Sequence, residues 1–196
     1  MNNEIDQLID LFTRFSSIGR KTATRIVLDL ISKKQNLIPD FINNLTNLKE
    51  KIKICEVCGN VDTHNPCNIC SSEQRNKKII CIVENIEDLW AIEKTNNFNG
   101  SYHILGGVLS AVKAITTEDL NLKSLEKRIQ QEEIEEIIIA INASLDGQTT
   151  AFYLQDMFKD KVEKITKLAY GMPIGSEIGY LDEGTINAAF SARGII

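Results

Sequence analysis

Ile5, Leu8, Ile9, Phe12 and Phe15 recur at intervals of three and four residues, which places them on one stripe of an amphipathic helix. After this helix, Ser16 and Ser17 suit a turn and cap, and Gly19 permits an unusual backbone angle. Helical spacing resumes through Ala23, Ile26, Val27 and Leu30, so the segment reads as helix, hairpin, helix. A third helix is predicted over about Asp40–Lys51, with Phe41, Leu45 and Leu48 turned inward to close a small bundle. Further along the texture changes. KKIICIVE is a short apolar run flanked by charge, IEDLWAIEKT has helical spacing, and SYHILGG is another short run. Leu120–Glu133 predicts a charged helix, EEIIIAIN a buried strand, GQTTAFYLQDMF a helix and EKITKLAYG a further strand. Such alternation predicts a parallel sheet with helices on its faces. Trp90 and Tyr102 fall at helix and strand core positions, which argues against base stacking for either. Near the end, Asp182 or Thr185 is placed to cap a final short helix.

Composition narrows the class without naming a function. A chain of 196 residues with 43% hydrophobic and 25% charged residues is ordinary for a soluble globular protein of one domain or two small units. Its longest apolar runs, such as Ile137–Ile141, are too short to cross a bilayer. The start, MNNEIDQLIDLF, lacks the basic and uninterrupted apolar regions of a signal peptide, so the expected compartment is the cytosol, where disulfides are rare. The net charge of -5 is unevenly spread. Residues 1–54 hold nine Lys or Arg against six Asp or Glu (+3), leaving 13 against 21 (-8) beyond them. Cations gathered at one end allow nucleic acid there, while the acidic remainder suits other partners.

The chemistry with the strongest signal is in CEVCGNVDTHNPCNIC. Cys55, Cys58, Cys67 and Cys70 form C-x2-C-x8-C-x2-C, and each pair has the spacing that brings two sulfurs to one metal. Gly59 and Asn68 fall where the backbone must turn tightly to offer amides to the sulfurs. Four thiolates favour tetrahedral Zn(2+), leave no open coordination position and imply a structural ion worth on the order of 10 kcal/mol to folding. An iron–sulfur cluster or redox dithiol fits two matched pairs less well, and His64 is a loop residue rather than a ligand substitute. Cys81, inside IICIVE, has the setting of a buried small apolar residue.

Two carboxylates form a second candidate. Glu84 ends the first sheet strand and Asp146 follows the third, and ligands of open α/β sheets gather at the carboxyl ends of strands. Magnesium chemistry on phosphate wants several hard oxygen donors, yet position 148 is Gln, so Mg(2+) binding here is a weak expectation. Glu84 and Asp146 serve equally well as helix caps and loop hydrogen-bond partners.

In order along the chain, these features resemble the RecR family of bacterial recombination mediators. The likeness is carried by the helix-hairpin-helix, the four-cysteine knuckle with its CNIC at Cys67–Cys70, the strand ending in Val83 and Glu84, N-x-x-x-D-G-x-T from Asn142 to Thr149, and AYGMPIGSEIGYLD from Ala169 to Asp182. LWAIEKTNNFNGSYHILGG, followed by Leu109 and Ser110, supports it. The resemblance implies a multi-part α+β and α/β chain: a helix-hairpin-helix DNA-binding region at 1–54, a four-cysteine zinc finger at 55–72, a Toprim domain at 78–172 and a short helical and strand segment at 173–196. That last segment would serve oligomerisation or be Walker-B-like; no G-x-x-x-x-G-K-[ST] loop accompanies it, so ATP use is not expected.

Glu84, Asp146 and Gln148 would stand where Toprim enzymes place their acids. Relatives nonetheless are not known for cleaving or joining DNA. They assemble as dimers or ring tetramers that clamp DNA, and with RecO and often RecF they load RecA onto single strands. Arg20, Lys21 and Arg25 would then hold the phosphates of gapped or junction DNA, with hairpin amides assisting. A Toprim metal enzyme acting on phosphodiesters, or a purely protein-binding adaptor, are the alternatives. This sequence departs from the family pattern at Ser17, where the first hairpin glycine is usual, at Arg20, a common proline position, and at Ala143, where proline follows Asn142. Gln148 replaces an acid, and AVKAITTEDL after Ser110 lacks the usual Pro and Gly residues.

Overall fold

The computed structural model describes residues 3–194, and the chain divides into two compact units at Ile52 and Lys53. In the first, α1 (Asn3–Thr13) and α2 (Arg20–Lys33) form the expected hairpin. Ile9, Ala23 and Val27 are its fully buried residues, with Ile5, Leu8, Phe12 and Ile18 packed around them. A 3-10 turn at Gln35–Leu37 leads into α3 (Ile38–Lys51), which has a proline in its first turn, Asp40 beside it and Lys49 and Lys51 in its last turn.

The predicted bundle does not close within this unit. Phe41, Leu45 and Leu48 are 55%, 62% and 52% exposed, and no residue of α3 is buried. The stripe read from sequence is real, but α1 and α2 bury their core against each other rather than against α3, and Leu11, Phe15 and Leu28 stay exposed as well. The hairpin turn also differs from expectation. Gly19 takes an ordinary φ of -77° as the N-cap of α2 and gives no side-chain cap, whereas Ser17 carries the positive φ, 65°.

The second unit begins with the knuckle. Strands β1 (Lys53–Ile54) and β2 (Val61–Asp62) pair antiparallel, Lys53 opposite Asp62, and a single turn of helix, α4 (Asn68–Ser71), carries the last ligand cysteine. Four parallel strands follow: β3 (Asn76–Val83), β4 (Gly100–Ile104), β5 (Glu136–Ala140) and β6 (Lys164–Lys167), in spatial order β4-β3-β5-β6. Helices α5 (Ile86–Lys94), α6 (Leu122–Gln131) and α7 (Leu145–Phe158) connect them, as the alternating pattern predicts. The period of two along β3 sends Ile80 and Ile82 to one core with Leu105, Leu125, Ile137 and Phe158. Cys81 and Val83 go to the other, with Leu89, Tyr102 and Ile104. Both faces are covered, which is why these strands read as continuous apolar runs.

Caps fix where helices begin. Asn85 and Asp88 form a reciprocal capping box on α5, and Ser144 Oγ accepts from the Gly147 amide at the start of α7. Asp182 caps α8 (Glu183–Ser191), accepting from Thr185 N at 2.9 Å, so the two sequence candidates for that cap act as a pair. No residue of α8 is buried. Of the two aromatic residues assigned to the core, Tyr102 is fully buried, but Trp90 is 56% exposed. On α5 it lies next to the buried Leu89, about 100° around the helix, and so faces outward.

Candidate functional site

Cys55, Cys58, Cys67 and Cys70 bring their sulfurs within 4.8 Å of one another. Two backbone loops aim them. Gly59, at φ 80°, makes the tight turn after the first pair, and the Asn60 amide then donates to Cys58 Sγ at 3.4 Å. The Cys67 amide donates to Cys55 Sγ at 3.3 Å. Asn68 does not supply a sulfur-directed amide as expected; its N–H goes to Asp62 Oδ2 at 2.8 Å and ties the second loop to β2.

The packed thiols cannot share negative charge without help. A hydrogen bond from Cys70 holds Cys58 down at about 6, while burial pushes Cys67 up to about 11. Cys70 is itself raised, chiefly by donating to Cys58. A dication that accepts all four as thiolates resolves this conflict, and a closed, soft set of four sulfur donors fits structural Zn(2+). His64 stays outside, its side chain 68% exposed and its Nδ1 3.7 Å from Asp62 Oδ1.

The knuckle is fastened to the sheet. Ile104 N, at the end of β4, donates to Cys58 O at 2.8 Å, and Ile69 packs against both the cysteine cluster and the core that contains Tyr102. Cys81 is not a ligand; it is 3% exposed in that core, and burial pushes its thiol up to about 12.

At the carboxyl end of the sheet the strand order reverses beside β3, the position where open α/β sheets place a crevice. Glu84 follows β3 there, and Asn142 Nδ2 donates to its Oε2 at 2.8 Å. Asn142 opens the loop that leads to Asp146 in the first turn of α7. Gly147 lets the two approach: a Cβ at that position would lie 2.0 Å from Asn142 O. Gln148 Nε2 donates to Ala143 O at 3.1 Å, a bond a carboxylate at this position could not make. The acceptor is the backbone carbonyl of Ala143, which any residue at that position would present. Among the described residues the four cysteines form the only cluster of three or more metal-type ligands, so Glu84 and Asp146 stand without a third acid.

On the hairpin, Arg20 Nη1 donates to Asp10 Oδ1 at 2.6 Å and Nη2 to Asp6 Oδ1 at 3.4 Å, so its guanidinium braces α2 against α1. Among the described residues Lys21 and Arg25 have no carboxylate partner. Arg25 lines an open groove along α2 with Thr22, Ile26 and Asp29.

Sequence reasoning missed a buried network on β4. Arg128 is 7% exposed; its Nη1 donates to Tyr102 O and its Nη2 to Ser101 Oγ, each at 2.8 Å. Next to them on the strand His103 is fully buried, with Nε2 2.8 Å from Asn121 O and Nδ1 unpartnered. A signal was present: Arg128 lies three residues after Leu125 and one before Ile129, on the apolar stripe of α6.

A parallel sheet of this topology with acids at its carboxyl end, joined to a four-cysteine knuckle, defines a zinc-finger Toprim protein. Family models agree: the RecR four-cysteine zinc finger domain matches residues 52–72, the Toprim domain 78–169 and the RecR C-terminal domain 171–193. Recombination protein RecR of Rickettsia bellii is 50% identical over 192 residues, covering 98% of this chain and 96% of the relative. The proteins of the same name from Rickettsia massiliae and Rhizobium leguminosarum bv. trifolii are 48% and 46% identical, with the same coverage. The chain belongs to the RecR family of recombination proteins.

Proposed function

We propose that this protein is a non-enzymatic mediator of recombinational DNA repair that clamps gapped or junction DNA as a multimer. With a RecO-like partner, and a RecF-like one where present, it would load RecA onto single strands in the bacterial cytoplasm. The observation that carries the reading is the hairpin: among the described residues Lys21 and Arg25 lack carboxylate partners, residues 1–54 carry a net +3, and α2 begins at a Gly19 N-cap with no side-chain cap. Amides at such an N-terminus suit phosphate regardless of base sequence, and cations beside them raise the affinity. Arg20 adds charge at the same turn while bracing it.

One hairpin offers few contacts, so useful affinity calls for several copies around one DNA. The exposed apolar residues of α3, Phe41, Leu45 and Leu48, supply self-association surface in the same unit. Catalysis finds less support. Gln148 holds a loop carbonyl where Toprim enzymes place an acid, which leaves Glu84 and Asp146 as contacts for a partner rather than as a magnesium site. No helix among the described residues is long and apolar enough to cross a membrane, so membranes do not enter the reading.

Gel-shift titration of gapped DNA at several salt concentrations tests it. Lys21→Glu and Arg25→Glu are each expected to weaken binding at least tenfold and to flatten its salt dependence. Unchanged affinity in both would remove the hairpin from the mechanism. Magnesium-dependent cleavage of the DNA, lost on Glu84→Ala, would replace the mediator with a phosphodiester enzyme.

A further inference from the structure

We propose that metal occupancy of the knuckle governs the order of residues 105–121, the connection from β4 to α6, and that Asn121 is the positioning residue through which the two are coupled. Every polar group of Asn121 is engaged. Its N–H donates to Leu105 O at 2.9 Å, its carbonyl is 2.8 Å from His103 Nε2, its Nδ2 donates to Ile104 O at 3.3 Å, and its Oδ1 accepts from Ser124 Oγ at 2.7 Å. The carboxamide therefore gives no cap to α6, although Asn121 stands at the N-cap position. It lies against the knuckle instead. A Cβ on Gly59 would come 3.7 Å from Asn121 Nδ2 and 3.4 Å from Ile104 Cβ, and Ile104 N donates to the carbonyl of the ligand Cys58 at 2.8 Å. The turn at Cys58 and Gly59 is thus the surface on which Ile104 and Asn121 rest, and drawing four sulfurs around one ion fixes that turn.

The connection has little burial of its own to hold it. From Ala111 to Asp119 every residue except Ile115 is exposed, and its internal pairing is the Ser110–Ile115 bridge and short turns such as Thr116 N to Asp119 Oδ2. Segments with few buried apolar contacts open at low free energy, so an anchor at one end decides how often this one does. Its remaining contacts lead to the two acids. Gly106 N donates to Glu84 O at 2.9 Å, Leu109 N donates to Thr150 Oγ1 at 2.9 Å, and that hydroxyl donates to Asp146 O at 2.8 Å. Release at Asn121 therefore loosens the backbone beside both Glu84 and Asp146. Metal occupancy and closure of the segment are linked equilibria, and linkage acts both ways: whatever zinc adds to closure, closure adds to zinc affinity. The inference rests on the four-cysteine zinc site and is independent of the DNA-clamping reading.

Hydrogen exchange of the full chain, zinc-loaded and after removal of zinc by a chelator, tests the coupling. Amides of residues 105–121 are expected to exchange at least tenfold faster without zinc, while those of β5 and α7 stay as protected as before. Two variants separate coupling from local stability. Asn121→Ala keeps both main-chain bonds, and Asn121→Asp keeps an acceptor for Ser124 and sets a negative charge at the N-terminus of α6, where it favours the helix. Each should nonetheless weaken zinc affinity at least tenfold in competition with a chromogenic chelator, although neither changes a cysteine. In both, zinc removal should then alter exchange of residues 105–121 by less than about twofold. Faster exchange confined to residues 55–72 would show that the knuckle folds by itself and overturn the proposal. So would loss of protection that spreads through β5 and α7, or unaltered zinc affinity in either variant.

Discussion

Ser17 occupies a left-handed backbone angle, φ 65°, at the turn between α1 and α2. An L-residue there suffers a clash between Cβ and backbone that glycine escapes. Ser17→Gly is therefore expected to stabilise the protein by roughly 1 kcal/mol, seen as a raised urea midpoint with an unchanged slope. The greater freedom glycine has in the unfolded chain limits the gain to that size. Sequence alone pointed to Gly19 for this conformation, because glycine tolerates it best; the chain instead needs Gly19 only as a cap of extended geometry. Trp90 shows the same limit. Apolar periodicity says which residues can be inside, and when two apolar neighbours compete for one helix face, only packing decides that Leu89 is buried and Trp90 is not. The four cysteines were legible because a metal site is written in residue type and spacing, while the Asn142–Glu84 and Gln148–Ala143 bonds depend on how a loop closes.

Among the elements, the knuckle has the least apolar material of its own and the most to lose. Its buried residues are chiefly the ligand cysteines themselves, with Val57 and Ile69 packed against them. Cys58→Ser is expected to abolish stoichiometric zinc, measured by elemental analysis, and to lower the thermal midpoint, with strong chelators reproducing the effect on the unaltered protein. Retained zinc with full thermal stability would contradict a structural role. The element pattern itself was legible: all four strands of the sheet and their connecting helices fall where alternation and helical spacing predict. Boundaries moved by a few residues, as at α6, where Leu120–Glu133 narrowed to Leu122–Gln131. The third helix is the exception in kind. Its stripe predicted the helix correctly and its burial wrongly, since an amphipathic pattern states that a face seeks cover and not which surface provides it.

Across the whole molecule, pH dependence should carry the mark of one buried imidazole. Burial lowers His103 from 6.5 to about 4, so the folded protein keeps it neutral through the range in which the unfolded chain takes up a proton. Its contribution to stability is complete above 6.5 and is lost as pH falls toward 4, roughly 3 kcal/mol over that window. Urea titrations of the zinc-loaded protein should show this slope, and His103→Gln should flatten it. Carboxylates lose their own contribution lower down. Burial opposes ionisation of Glu93, but Arg75 and Tyr102 hydrogen bonds outweigh it and hold its pKa below the ordinary value. The contact between Gln148 and Ala143 bears on charge as well as on the loop. An acid at position 148 would lose this bond to the backbone carbonyl and, being exposed, would turn to water, adding a negative charge within two residues of Asp146. With glutamine there instead, this end of the sheet holds its loop by an uncharged tether and keeps its negative potential lower than a third carboxylate would make it.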